Sequence, residues 1–429
     1  MAKKGGFSRR DFLKGTAATV AAATAVGSFL IVPRKVLGGP GNQAPSDTVG
    51  SVLVGCGDQG PTGTIGHVRE WGVPHELRAK CDVKFKDIAN NKDIYTDFRR
   101  VLERKDIDLV IIATPPHWHS LISIAAMQAG KDVFCEKPMT RFVVEGQAVA
   151  DAEKRYGRIF QVGVNYRMGR QGRGDILCRK IMTSGLLKNS KAVLVHKGNL
   201  KVKAWAGAPA HQIEAVPKNL DWDMYCGPSP MHPFVRQRFG GSHRQYWDYD
   251  GGGLGDMGFH NFDAPAYPYA MDTYLPVEVE AYAPPAHPEV TGMWAWAKLK
   301  YPSGFTYVVE SGEWGPSSGM TSTVPGGNGD NSDKLADFMM AELSPEDQAK
   351  VKAMPDPPKL INFGEAVKTR KPSCGNAAMA HKTSCIMHYM NVAIRTGRKL
   401  KINPDTGMVL GDDEANRLVN VEMRAPWHL

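Results

Sequence analysis

Between residues 51 and 164 the chain alternates short apolar runs with segments of helical spacing, and this restricts its possible folds more than any other feature. Residues 51–56, 78–83, 108–114 ("DLVIIAT"), 132–136 and 158–164 read as strands. Residues 64–70, 97–104, 120–130 and 144–156 read as the helices between them, the third with Ile122, Ala125 and Ala126 on one face. Near-continuous apolar strands separated by helices belong to a parallel sheet covered on both faces. A doubly wound α/β domain over residues 51–168 is therefore expected.

The remainder changes character. A helix at 176–184 is followed by candidate strands at 192–197, 277–282, 293–301 and 305–310, the last two joined by "PSG" as in a hairpin. Strands in succession predict an α+β domain over residues 169–429 with a mainly antiparallel sheet. Residues 315–333, rich in Gly and Ser, read as a surface loop and residues 376–395 as a helix. A chain of 429 residues has room for both domains.

A net charge of +9 points toward nucleic acid until it is located. Residues 1–38 hold seven Lys or Arg against one acid, so +6 of the total sits there and +3 is left for the rest. No nucleic-acid partner is expected from that remainder. The N-terminus reads instead as an address: "SRRDFLKG" sets paired arginines before an uncharged Ala/Thr/Val-rich run at 15–32, the pattern of a twin-arginine (Tat) export signal. Residues 1–38 are then the signal read by the Tat machinery, 39–50 ("GPGNQAPSDTVG") a linker, and the destination periplasmic or otherwise extracytoplasmic. Anchoring by an uncleaved signal is the alternative, weakened by the run's alanines and threonines. Seven cysteines, odd in number and without a CxxC pair, match neither a disulfide framework nor a zinc site.

"VGCGDQG" puts Gly55, Gly57 and Gly60 in the G-x-G-x-x-G arrangement between a strand and a helix, where glycines let the backbone approach a pyrophosphate. Asp82, 22 residues past Gly60, is the acid expected to accept from ribose hydroxyls. A carboxylate there favours NAD over NADP, although Lys84 and Lys86 follow closely. "ATPPHWH" ends the most apolar strand and places Thr114, Pro115, His117, Trp118 and His119 at the crevice outside the strand ends. His117 and His119 have no Asp, Glu or Cys set beside them to complete a metal site, so no metal is expected.

The next strand runs into "CEKPMT", which brings Glu136 and Lys137 to the same crevice. An ammonium there is placed to stabilise an alkoxide; the plainer alternative is an ion pair with Glu136 or a snorkelling surface lysine. In "YDGGGLGDMGFHNFD", Asp256 and His260 are four apart and share a face if helical, with Pro265 limiting the helix to a turn or two or kinking it. A histidine steadied by a carboxylate suits a general base near neutral pH, against the alternative of a buried structural histidine. Trp222 and Tyr249 lie among nearby aromatics fit for sugar stacking or for core packing.

The ordered set "VGCGDQG", "YTDF…IDLVIIATPPHWH", "KDVFCEKPMT", "FQVGVNYR", "LDWDMYCGPSP" and "GGGLGDMGFHNFD" resembles the glucose-fructose oxidoreductase, inositol dehydrogenase and MocA (Gfo/Idh/MocA) family, in particular its exported bacterial members. The resemblance covers residues 49–313 and resumes from 361 to the C-terminus. It implies a Rossmann domain, an open-faced sheet domain that covers the nicotinamide and often mediates homo-oligomerisation, an NAD or NADP cofactor, and a carbohydrate or polyol substrate. It also implies Lys137 as the catalytic lysine, His260 as the acid/base residue and Asp256 as its partner. Asn165, Arg167, Trp222 and Tyr249 become candidates for the substrate side; Asp58, Gln59 and Glu136 join the expected cofactor contacts. The turn "DQGPTGTIGHVREWGVPHEL", with Asp58 before Gln59 and a short helix region, departs from the family's pattern, and the few residues between Asp82 and "YTDF" imply a cramped or loosely defined adenosine pocket.

An exported enzyme meets little free NAD(H), so a cofactor loaded before export and held tightly is expected. Two rivals to sugar oxidation stand beside it. One is redox-assisted glycoside cleavage, set back because Glu-Lys-Pro is generally altered in that branch. The other is a non-catalytic exported sugar-binding protein.

Overall fold

β1 (Val49–Val54), β2 (His75–Cys81), β3 (Ile94–Tyr95), β4 (Leu109–Ile112), β5 (Asp132–Cys135) and β6 (Phe160–Val162) form one sheet in the order β3-β2-β1-β4-β5-β6. Every pairing is parallel. The order reverses between β1 and β4, and in open α/β sheets that point opens the crevice where ligands bind. Val52, Leu53 and residues 110–112 have no exposure, because helices cover both faces. β3 is two residues at the sheet edge, too short to leave a pattern in the sequence.

The computed structural model describes residues 48–85, 91–209, 212–323 and 332–429. The signal expected at 1–38, most of the 39–50 linker, Lys86 and the centre of the 315–333 loop lie outside them. Val49–Leu429 clusters as one unit. Among the described residues no helix is long and apolar enough to cross a membrane.

Helices α1 (Ile65–Glu70), α2 (His119–Gln128) and α3 (Val143–Tyr156) belong to the first domain. A π-helical turn, Gly60–Thr64, precedes α1. The Glu145 carboxylate accepts from the amides of Arg141 (2.8 Å) and Phe142 (3.2 Å), satisfying donors that α3 leaves unpaired at its start. Gly157, left-handed at φ 59°, ends it.

The second sheet runs β11-β8-β9-β10-β7, with β7 at Val193–Lys197, β8 at Glu278–Tyr282, β9 at Trp296–Lys300, β10 at Thr306–Glu310 and β11 at Leu400–Lys401. Three of its four pairings are antiparallel, and β7 runs parallel to β10. The expected mainly antiparallel sheet is therefore present. In front of it lies α4 (Gly252–Ala266), fifteen residues long where Pro265 predicted a helix limited to a turn or two or kinked. The proline falls in the last turn, so the helix is complete before it can interfere.

After residue 360 the chain returns to the first sheet. Phe363 and Ala366 of α5 (Phe363–Thr369) pack on Leu53, Leu109, Ile111 and Phe134. α6 (Ala377–Thr396), capped by the Asn376 side chain, packs along α3 and α4. The first sheet is thereby braced from both halves of the chain.

Candidate active site

At the end of β1 the chain turns with Gly55 at φ 91°, where a Cβ would sit 2.5 Å from the Ala113 carbonyl carbon and the Thr114 nitrogen. Only glycine fits a left-handed turn pressed against the end of β4. A Cβ on Gly60 would strike the Gly55 carbonyl oxygen, whereas one on Gly57 meets nothing within 4 Å. The turn thus presents bare backbone to a cavity of about 480 Å3, with Gly55, Gly57, Asp58, Gln59 and Asp82 on its wall. Asp82 Oδ2 accepts from the Cys56 amide at 2.6 Å and Oδ1 from the Lys84 amide at 2.9 Å, which fixes the carboxylate at the end of β2 beside the turn. A glycine cradle that a Cβ would fill, a helical turn behind it and a carboxylate at the second strand end fit a dinucleotide.

The same cavity is also lined by Lys137, Asp256, His260 and Arg244. Lys137 leaves the end of β5 and donates from Nζ to the Asp256 main-chain oxygen at 2.7 Å and to Oδ1 at 3.2 Å. Asp256 Oδ1 also accepts from Arg244 Nε at 3.1 Å, and Oδ2 accepts from Trp205 Nε1 at 2.7 Å. Burial alone would raise the Asp256 pKa; Lys137, Arg244 and the Trp205 hydrogen bond outweigh it and hold the carboxyl at about 2. His260 lies one helical turn on, and its Nδ1 is 3.2 Å from Tyr166 Oη. Burial, then the charge of Lys137, lowers His260 to about 4 against the pull of Asp256. The ring is neutral at pH 7, the state a base requires.

Thr114, Pro115, Trp118 and Glu136 also line the cavity. Trp118 Nε1 donates to the Met224 and Tyr225 carbonyls, tying the first domain to the short helix Trp222–Cys226. Glu136 does not pair with the Lys137 ammonium. Its Oε1 accepts from Thr64 Oγ1 at 2.8 Å and its Oε2 from the Lys137 amide at 3.2 Å, pinning the loop to the start of α1.

Several residues expected at the cleft are elsewhere. His117 is fully buried with Nε2 2.7 Å from the Tyr225 carbonyl oxygen, and His119 holds the Pro138 and Thr114 carbonyls. Arg167, also without exposure, pairs with Asp263 and Asp272. Trp222 stacks on Tyr225 at 4.9 Å and Tyr249 is fully buried, so both serve an aromatic core behind the cleft. Asn165 does not line the cavity, and Gly60 acts behind the turn rather than on the wall. Asp256 is bonded to Lys137 and not to His260, the partner expected of it. Arg244, Trp205 and Tyr166 were not legible as site residues. Trp205, 51 residues before Asp256, and Arg244, 12 before it in a 3-10 turn, reach the carboxylate only through the way the chain ahead of α4 folds back on it, and Tyr166 is the exposed neighbour of Asn165 and Arg167.

A doubly wound sheet with a glycine turn at its switch point, joined to a mixed-sheet domain whose helix α4 lines the same cavity, defines a two-domain dinucleotide-dependent oxidoreductase. Residues 75–164 match the family model for the oxidoreductase family NAD-binding Rossmann fold, and residues 175–429 that for the oxidoreductase family C-terminal alpha/beta domain. The chain belongs to the Gfo/Idh/MocA oxidoreductase family. Residues 6–26 match the twin-arginine translocation pathway signal sequence, which supports export by that route.

Among similar proteins, the levoglucosan dehydrogenase of Pseudarthrobacter phenanthrenivorans is 44% identical over 72 residues, 17% of this chain and 18% of its own. The inositol 2-dehydrogenase of Salmonella typhimurium is 33% identical over 103 residues, 24% of this chain and 29% of its own. A glycosyl hydrolase family 109 protein of Shewanella baltica is 30% identical over 225 residues, 46% of this chain and 47% of its own. The match thus spans less than half the length of each of these relatives.

Proposed function

We propose that the protein oxidises a secondary hydroxyl of a sugar or polyol, with NAD as its cofactor. The observation that carries this is the convergence of Lys137 and a neutral His260, from different domains, in the cavity that begins at the glycine turn. A bound nicotinamide supplies the hydride acceptor. His260 takes the hydroxyl proton, and the Lys137 ammonium stabilises the charge that develops on the oxygen. Asp256 fixes Lys137 against α4. Asp82 supports NAD over NADP, since its carboxylate repels a 2′-phosphate.

Export favours a cofactor taken up before translocation and retained afterwards. The same reading includes a homo-oligomer built on the second sheet, whose exposed Tyr282 stacks with Trp296 and Trp314. The levoglucosan and inositol dehydrogenases among its relatives support a carbohydrate substrate. The glycosyl hydrolase relative favours a second reading, in which oxidation is transient and ends in glycoside cleavage.

The test is to release and identify the nucleotide from purified protein, then screen monosaccharides and aryl glycosides at the nicotinamide absorbance band. Net reduction with a sugar supports oxidation; aglycone release without net reduction supports cleavage. Protein that binds neither NAD nor NADP defeats both readings.

A further inference from the structure

His260 makes no hydrogen bond to the carboxylate one turn earlier. Asp256 uses both oxygens on Lys137, Arg244 and Trp205, while His260 Nδ1 faces Tyr166 Oη at 3.2 Å with the ring centroids 5.9 Å apart. We propose that Tyr166 is the positioning residue of His260: it accepts the Nδ1 proton, so that Nε2 keeps its lone pair, and it relays the proton taken from substrate out to solvent. The inference rests on His260 being the base in the proposed reaction.

A neutral imidazole donates from one nitrogen and accepts at the other. If Tyr166 donated to Nδ1, the ring proton would sit on Nε2 and the ring would have no lone pair left to act as a base. A phenol hydroxyl can accept from Nδ1–H while pointing its own hydrogen elsewhere. Tyr166 is 50% exposed, so water is available to receive it. A buried carboxylate could hold the tautomer equally well, but it would stabilise the imidazolium and has no proton of its own to release.

The charges facing His260 come from Lys137, Lys201, Asp256 and Asp263. The two carboxylates are each tied to a cation, Asp256 to Lys137 and Arg244, Asp263 to Arg167. A proton reaching the ring is therefore poorly held and must move on. As the substrate O–H bond breaks, Nε2–H forms; Nδ1–H then breaks as a new Oη–H forms, and the former phenol proton leaves to water. One proton enters and one leaves, with no net charge on either side chain. With the cleft empty, loss of the Nε2 proton to water and return of one to Nδ1 restores the starting tautomer.

Tyr166→Phe keeps the ring and removes the oxygen. In nucleotide-free protein, imidazole 15N NMR with His260 assigned through a His260→Asn variant should show a protonated Nδ1 in the wild type and loss of that preference in Tyr166→Phe. In turnover, kcat should fall about 10²-fold with KM changed less than about threefold, and small bases such as imidazole in the buffer should restore part of the rate. A wild type protonated at Nε2, an identical tautomer in both proteins, or an undiminished kcat in Tyr166→Phe overturns the proposal. The NMR arm needs no substrate, so a failure of the sugar-oxidation reading is told apart from a failure of this one.

Discussion

Lys137 Nζ lies 2.7 Å from the main-chain oxygen of Asp256 and 3.2 Å from its carboxylate, so an ammonium from the end of β5 is fastened to the helix that carries His260. The same ammonium depresses both groups, Asp256 to about 2 and, after burial, His260 to about 4. Lys137→Met should therefore raise the His260 midpoint from about 4 part of the way toward 6.5, burial remaining. Turnover should drop about 10²- to 10⁴-fold while nucleotide still binds. Histidine NMR titration reads the first effect, and a midpoint unmoved in the variant would show that Lys137 does not control the ring.

Acid should destabilise the fold early. His260 at about 4 and the buried His381 and His388 at about 3 are all lowered chiefly by burial. Above pH 6.5 each is neutral in both states and stability is complete. As pH falls from 6.5 toward 3 the unfolded chain binds protons that the folded chain refuses, so stability is lost, on the order of 4–5 kcal/mol for each of the buried His381 and His388 at the lower limit and less for the partly exposed His260, where solvent screens the charge. Asp256, also depressed, adds a loss between about 4 and 2. Denaturant unfolding at a series of pH values measures the slope, and His381→Asn should flatten it. The acid limb of kcat/KM should fall near pH 4 rather than 6.5.

The first sheet was legible because buried parallel strands write continuous apolar runs, and the lysine and histidine could be placed from strand ends and helical spacing. What escaped depends on contacts distant in sequence. In "NYR" the flanking Asn165 and Arg167 were natural candidates, yet Arg167 turns inward to Asp263 and the exposed Tyr166 reaches His260. Arg244 lies in a Gly-flanked 3-10 turn whose position over α4 has no local signature. Pro265 suggested a broken helix because spacing alone does not say that it occupies the last turn.

Two glycines of one turn should behave differently. Gly55→Ala forces a Cβ into the β4 backbone at φ 91° and should destabilise the protein by about 1–3 kcal/mol. Gly57→Ala meets no atom within 4 Å, so it should fold as the wild type does, yet weaken dinucleotide binding roughly tenfold or more by standing where the pyrophosphate approaches. Thermal melts and nucleotide titration separate the cases; equal melting temperatures for both variants would contradict the geometry.

Asp82→Ala removes the proposed ribose acceptor together with the partner of the Cys56 and Lys84 amides. NAD affinity should fall about tenfold and the preference over NADP should shrink by a similar factor. Unchanged discrimination between the two nucleotides would place the selecting group elsewhere in the pocket.

Arg167 offers the sharpest contrast between a cleft role and a structural one. Its Nε donates to Asp263 Oδ1 at 2.7 Å, Nη1 to Asp272 Oδ2 at 3.2 Å and Nη2 to Thr383 Oγ1 at 3.0 Å, all without solvent exposure. Asp272 has a second cation in Arg179, 2.8 Å away, whereas among the described residues Asp263 pairs with Arg167. Arg167→Met should thus cost about 3–5 kcal/mol by leaving the Asp263 carboxylate buried and uncompensated. Adding Asp263→Leu should recover much of that loss, because neither charge then needs a partner. Since Asp263 shares α4 with Asp256 and His260, the single variant should lower the melting temperature before it alters KM. A variant that melts like the wild type but loses substrate affinity would return Arg167 to the cleft.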